Sequence, residues 1–324
     1  MKKLINFSAD PWDLDKFDDD GGKLADFLDR HGLDGVEMIQ YADWDKSIVP
    51  ASRIIGAHSC FWPSWLDFWR EDKPSLLRQF GDEAACRAYY GFDSREGLVA
   101  YYRNELAKAQ AAGVAYVVFH VSHTEMEHSY TYRFTYDDEE VTDAFIDMMN
   151  AIAGDLNYDF DILLENHWYP GLTMLDRRMA DKLAARLHYP RIGFVLDTGH
   201  LMNTDLDLAS EEQAVDYILK TIDSLGDLAS RIKVIHLNSS LTGEYVKKSM
   251  ADPAYDGSLA FDDRHARLYE HISRIDTHRP FTDPSIRRVI DRIGPEYIVY
   301  EFCTGALETL DHYIAQQNEA LVGL

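Results

Sequence analysis

Short apolar runs that stop abruptly at polar or charged residues recur along the chain, and their spacing sets its architecture. They predict strands at Leu4–Ser8, Gly35–Gln40, Arg53–Ser59, Tyr116–Ser122, Phe160–Glu165, Ile192–Asp197, Ile232–Asn238 and Tyr297–Phe302. Between most of these runs, and after the last, apolar residues return at helical spacing among good helix formers. The clearest such segments are Ser94–Ala112, Asp138–Asp155, Leu172–Leu187, Ser210–Ala229, Asp283–Ile293 and Thr304–Leu321. Eight strands alternating with helices predict an α/β fold, a single (β/α)8 TIM barrel over residues 1–324. An open doubly wound sheet is the runner-up. Against it, Asn6-Phe7-Ser8-Ala9-Asp10-Pro11 stands where such a sheet carries a glycine-rich phosphate loop.

Four connections are too long for simple barrel turns. They are the acidic Asp10–Gly22, the stretch after the third strand, His123–Tyr136 and the polar Ser239–Pro284. Loops of this length in a barrel build the site on the C-terminal face. The second of them is dense in aromatics, with Phe61, Trp62, Trp65, Phe68 and Trp69 close together. Such rings either pack the loops onto the barrel, form a contact between copies, or stack on a sugar ring or an aromatic aglycone. On the last reading Trp62 and Trp65 are candidate substrate contacts.

Composition narrows the partners. With 56 acidic against 32 basic residues the formal charge is −24, which repels a phosphate backbone and disfavours nucleic acid as a partner. Cys60, Cys86 and Cys303 cannot all pair and show no metal-finger spacing, so a reducing cytoplasm is the expected compartment. The first residues meet Asp10 and Asp13 before any apolar stretch long enough for a signal peptide. No run reaches the roughly 18 to 20 apolar residues of a membrane span. A small carbohydrate is the expected partner, and a homo-oligomer stays open.

The candidate chemistry lies at the strand ends. The run Ile192-Gly193-Phe194-Val195-Leu196 ends in Asp197-Thr198-Gly199-His200. Asp197 and Thr198 there either cap a helix, with Gly199 turning the chain, or Asp197 and His200 share a cation that offsets their desolvation. Five other strands carry a metal-binding residue type at or near the same end: His58, His120, Glu165, His236 and Glu301. In a barrel all of them converge on one mouth. Glu165, Asp197, His236 and Glu301 form a set of three carboxylates and one imidazole that suits Mn, Mg, Co or Zn.

The segments ILLENHW, FVLDTGH, VIHLN and IVYEF, in this order on strands five to eight, resemble the xylose isomerase-like barrel superfamily. That superfamily holds sugar isomerases and epimerases together with the endonuclease IV class of apurinic-site nucleases (AP endonuclease family 2). The resemblance implies one divalent metal on Glu165, Asp197, His236 and Glu301, with His200 touching substrate or a further metal. For a sugar or keto-sugar isomerase or epimerase it implies Glu165 and Glu301 as the proton-transferring groups beside a metal-bound enediolate. Known ketose 3-epimerases have an Arg shortly after the strand-seven His, whereas Asn238-Ser239-Ser240-Leu241-Thr242 follows here. That departure speaks against a free-ketose 3-epimerase in the narrow sense.

Three other readings accompany it. His167, two residues after Glu165, resembles the Glu-x-His of C-glycoside deglycosidase subunits and would be the base of an elimination. The endonuclease-like members use up to three Zn. For such a phosphodiesterase His58, His120, His200, Asp276 and His278 would join the ligands, although Asp276-Thr277-His278 also reads as the cap of the helix beginning near Asp283. The last is a barrel that binds a sugar without turning it over, which the complete ligand set disfavours.

Overall fold

The computed structural model describes residues 1–39 and 44–323. Eight parallel strands close into one barrel in sequence order: β1 (Lys2–Ser8), β2 (Gly35–Ile39), β3 (Ile54–His58), β4 (Tyr116–His120), β5 (Asp161–Glu165), β6 (Ile192–Asp197), β7 (Ile232–Leu237) and β8 (Tyr297–Tyr300). Each coincides with a predicted run to within two residues at either end, and Gln40, expected to end β2, lies outside the described residues. β8 returns to β1 in parallel register, Lys2 opposite Tyr297, which closes the ring.

The period of two along a strand decides what faces the barrel axis. Leu4, Val118, Leu163, Val195, Val234 and Val299 fill the interior as one buried cluster with the Tyr116 ring. A Cβ on Gly56 would sit 2.2 Å from that ring, so the glycine makes room for it. Two residues further along the same strands come Asn6, His120, Glu165, Asp197, His236 and Glu301, and by the same parity Glu37 and His58 join them on β2 and β3. The next layer of the barrel interior, at its C-terminal end, is therefore almost wholly ionisable. The larger hydrophobic core lies outside the barrel, between the strands and the helices.

The predicted helices are present with shifted ends. Ser94 caps Arg95–Ala112, Asp137 caps Asp138–Ala153, and Ser210 caps Glu211–Ser224, each side chain accepting a backbone N–H of the first turn. The segment expected to be helical from Leu172 starts instead at Arg177, capped by Asp176, because Leu172 and Met174 are spent as buried anchors of the loop before it. The last helix starts at Leu307 rather than Thr304. A helix not predicted, Gly21–His31, joins β1 to β2 and is capped by Asp20.

The long connections are not irregular. The stretch after β3 holds the helices Leu66–Trp69, Lys73–Phe80 and Glu83–Tyr90, and Ser239–Pro284 holds Gly243–Ala251 and Phe261–Ile275. In the last of these Phe261, Leu268, Ile272 and Ile275 mark one apolar stripe, which a highly charged remainder hides from a reading by composition. The two insertions meet above the barrel mouth. Phe261 packs on Phe80 and Tyr89 with ring centroids 5.2 and 5.6 Å apart, and the half-buried network is tied by Arg264, which donates to Tyr255 Oη at 3.0 Å and Gln79 O at 2.9 Å. Cys60, Cys86 and Cys303 are all free thiols. Among the described residues no helix is long and apolar enough to cross a membrane.

Candidate metal centre

Glu165, at the end of β5, is the centre of the ionisable layer and is fully buried. One oxygen, Oε2, lies 3.1 Å from His58 Nε2 and 3.0 Å from His120 Nε2. The other, Oε1, lies 3.2 Å from His200 Nδ1 and 3.4 Å from His236 Nδ1. Across from it Glu301 Oε2 stands 3.2 Å from the same His236 Nδ1. Asp197 Oδ1 accepts the His200 backbone N–H at 2.6 Å and Oδ2 accepts Asn238 Nδ2–H at 2.8 Å, so the residue caps the helix Thr198–Met202 while belonging to the cluster. The capping side chain also lies in the cluster, so the two readings of this motif are compatible.

A second group lies alongside. Asp276, which ends the helix Phe261–Ile275, points into the mouth rather than capping the segment near Asp283, where Asp283 itself caps Pro284–Ile286. Its Oδ2 lies 3.3 Å from His200 Nε2 and 2.6 Å from His278 Nε2, and its Oδ1 accepts from Ser240 Oγ at 3.1 Å.

The tautomers show what these contacts lack. His58 Nδ1 faces the carbonyl of Ser59 at 3.0 Å, His200 Nδ1 that of Asn166 at 2.9 Å, and His278 Nδ1 that of Glu301 at 3.1 Å. A carbonyl only accepts, so each Nδ1 carries a proton and each Nε2 is the nitrogen left to take either a cation or a second proton. His236 is the mirror case. Its Nε2 donates to the Glu37 carboxylate at 3.0 Å, leaving the Nδ1 lone pair toward Glu165 and Glu301. Lone pairs aimed at carboxylates repel unless a cation lies between them. Glu165 Oε1, His236 Nδ1 and Glu301 Oε2 are accordingly buried without any hydrogen-bond partner.

The fit to metal is therefore chemical as well as geometric. Among the described residues, groups with ligand atoms within 4.8 Å of one another include Glu165, Asp197, His236 and Glu301; His58, His120 and Glu165; and His200, Asp276 and His278. Glu37 also comes within the same distance of His58 and His236. It was not foreseen from sequence, yet it orients His236 and is itself held by Tyr116 Oη–H at 2.8 Å.

Titration without a cation follows from the same contacts. Burial alone would push the Glu165 carboxyl up, but the His120 and His236 imidazoles hold it well below the usual range. Burial, with the neighbouring Glu301 and Glu165 charges and against His200, drives Asp197 well above it. Burial opposes charge on His236, and the surrounding Glu37, Glu301 and Glu165 outweigh it and raise its pKa well above that of a free imidazole. His200 is raised likewise by Asp197 and Asp276 against its burial.

Of the other residues singled out from sequence, His167 lines the cavity above the cluster. Burial and the nearby His200 and His120 push its pKa well below the usual value, so it is neutral. Its Nδ1 accepts the Tyr169 N–H at 3.3 Å, which puts the proton on Nε2. That tautomer offers a donor, where an elimination needs a lone pair. Trp62 and Trp65 are not brought to the cavity. Trp62 donates to Tyr89 O at 3.1 Å and packs on Phe92 and Tyr101, and Trp65 donates to Ser122 O at 2.6 Å and packs on His123. The aromatics that do line it, Phe61, Trp168 and Tyr169 among them, flank strand ends already marked by His58 and Glu165.

The family profile described as xylose isomerase-like TIM barrel matches residues 25–312. No curated protein matches the chain. Among solved structures, a sugar phosphate isomerase/epimerase from Parabacteroides distasonis is similar at 12% identity and a TM-score of 0.49, covering 99% of this chain and 95% of that one. The IolI protein with a bound zinc is similar at 12% identity and a TM-score of 0.47, covering 99% and 97%. D-psicose 3-epimerase from Clostridium cellulolyticum H10 is similar at 13% identity and a TM-score of 0.47, covering 100% and 92%. At such values the likeness is one of fold and says nothing about activity. With the profile match spanning most of the barrel, the chain belongs to the xylose isomerase-like TIM barrel family.

Proposed function

We propose that the chain is a divalent-metal-dependent enzyme that cleaves a phosphoester of a small substrate, with ions held by the three ligand groups. One observation carries this reading: the two oxygens of Glu165 face different imidazole nitrogens, Oε2 those of His58 and His120 and Oε1 that of His236, as a carboxylate shared between ions must. An oxygen engaged by both His58 and His120 is poorly placed to serve as a base toward a carbon-bound proton. Charge points the same way. The four carboxylates of the three groups leave a net negative site with one divalent ion and a net positive one with three, even when Glu37 is counted. A positive site suits an anionic ester.

Metal ions held by these groups would supply positive charge to a phosphoryl group and lower the pKa of water. The chain's own part is to hold the ligands and to exclude solvent. Tyr116 and Glu37 fix His236, and Asn238 and Asn166 fix Asp197 and its backbone. His167 Nε2–H lines the cavity as a donor for an ester oxygen. The cavity is about 380 Å³ and roofed by the helix Phe261–Ile275, which suits a small molecule and not a duplex. The test is hydrolysis of bis(p-nitrophenyl) phosphate and a panel of small sugar and nucleoside phosphoesters by the metal-loaded protein. Release of phenol or alcohol that stops on chelation supports the reading.

A second reading, a keto-sugar isomerase or epimerase with one metal on Glu165, Asp197, His236 and Glu301, draws on a separate observation. Glu301 lines the cavity and faces Glu165 across His236, the placement of two proton-transferring groups on either side of a bound carbonyl. Exchange of a carbon-bound proton of a keto-sugar with deuterated water, without phosphoester cleavage, would favour it over the first.

A further inference from the structure

The cavity above the ligand groups has two chemically different ends, and the phosphoester reading uses only one. Its floor is formed by His58, His120, His200, Asp276, His278 and Glu301. Its walls and roof are mostly apolar, with Phe61, Met126 and Trp168 from the barrel loops and Leu268, Tyr269 and Ile272 from the helix Phe261–Ile275, and they are broken by His265 on that helix and by the hydroxyls of Ser64, Thr124 and Ser129. Among the described residues no lysine or arginine lines it. The wall rings are locked in place. Phe61 meets the His120 ring edge-on at 4.5 Å, and Trp168 stacks on His167 at 3.9 Å.

Tyr269 differs from them. It lines the same cavity yet is 72% exposed, on a helix where Phe261, Leu268 and Ile272 are half-buried and Ile275 is buried. A ring left bare at the rim of an apolar cavity is a surface that a ligand can cover, with gain from burial and from stacking.

We propose that the substrate carries a single phosphoester and, on the side away from it, an uncharged aromatic ring that lies against Tyr269 and Leu268. The inference rests on the phosphoester reading of the same site and narrows its substrate class. A second phosphate, as in a nucleoside diphosphate or a nucleic-acid strand, would meet mostly apolar walls with no lysine or arginine, and His265 as the one imidazole on the roof helix among the described lining residues. An apolar ring in that space displaces water from Phe61, Met126 and Ile272 as well.

Titration calorimetry with phenylphosphonate and methylphosphonate tests this on the metal-loaded protein without requiring turnover. Phenylphosphonate is expected to bind roughly tenfold more tightly. In Tyr269→Ala, which leaves no buried void because the ring is exposed, the ratio of the two affinities is expected to fall to roughly twofold. A ratio near one in the unaltered protein, or one that Tyr269→Ala leaves unchanged, overturns this inference while the phosphoester reading stands. Failure of both phosphonates to bind protein that holds its metals overturns both.

Discussion

Glu165 concentrates the chemistry of the site in one side chain. It is uncharged only at the expense of four imidazole contacts, and its removal leaves lone pairs on His58 and His236 without a shared partner. Glu165→Gln is expected to lower bound metal by at least one equivalent and turnover by on the order of a hundredfold or more, with circular dichroism unchanged. Retention of full metal content would count against a shared carboxylate. The protonation pattern gives a second residue-scale prediction. In the metal-free protein the carboxylates around His236 and His200 favour the charged imidazoles against their burial. A metal must displace those protons, so affinity rises as pH rises and is lost as pH falls. Calorimetry in buffers of different ionisation enthalpy is expected to report proton release on binding, and proton uptake would contradict the assignment.

How far these residues could be read from sequence depended on parity. His58, His120, Glu165, Asp197, His236 and Glu301 were visible because each closes an apolar run. Glu37 was not, because it sits inside Gly35-Val36-Glu37-Met38-Ile39, where a lone acid reads as a solvent-facing position. In a strand buried on both faces an acid can only point into the barrel, and that was the available signal. Trp62 and Trp65 misled for the opposite reason, since aromatic density marks a packed insertion as readily as a binding wall.

At the scale of elements, two short segments decide whether the ligands stay in place. The helix Thr198–Met202 begins at Asp197, and a Cβ on its Gly199 would fall 1.8 Å from Asn238 Oδ1. Gly199→Ala therefore displaces Asn238, which donates to Asp197, and is expected to weaken metal binding on the order of tenfold to a hundredfold, as loss of an orienting partner does. Unchanged affinity by competition with a fluorescent chelator would show that the contact does not matter. The roof is held by the Arg264 contacts to Tyr255 and Gln79. Arg264→Ala is expected to speed amide exchange in residues 73–80 and 261–275 while metal on Glu165, Asp197, His236 and Glu301 is retained, since none of these four lies on the helices the latch joins. The roof itself escaped the sequence reading because Phe261–Ile275 carries its stripe among charges, although Asp252-Pro253 and Asp256-Gly257 mark turns just before it.

The molecule as a whole sets the limits on substrate. A chain of −24 charge with a roofed mouth is expected neither to bind nor to nick abasic duplex DNA at about 0.15 M salt, where specific DNA enzymes still hold their sites. Site-specific nicking under those conditions would reopen the nuclease reading. The barrel, by contrast, is written along the entire chain, because eight apolar runs of similar length separated by amphipathic helices admit few other closures. What links the scales is the claim that one carboxylate serves more than one ion. Metal analysis of the purified protein saturated with Zn or Mn, before and after His58→Ala and Asp276→Ala, tests it most directly. Two or three equivalents per chain, with each substitution removing one, is the predicted result. A single equivalent that neither substitution affects would contradict it.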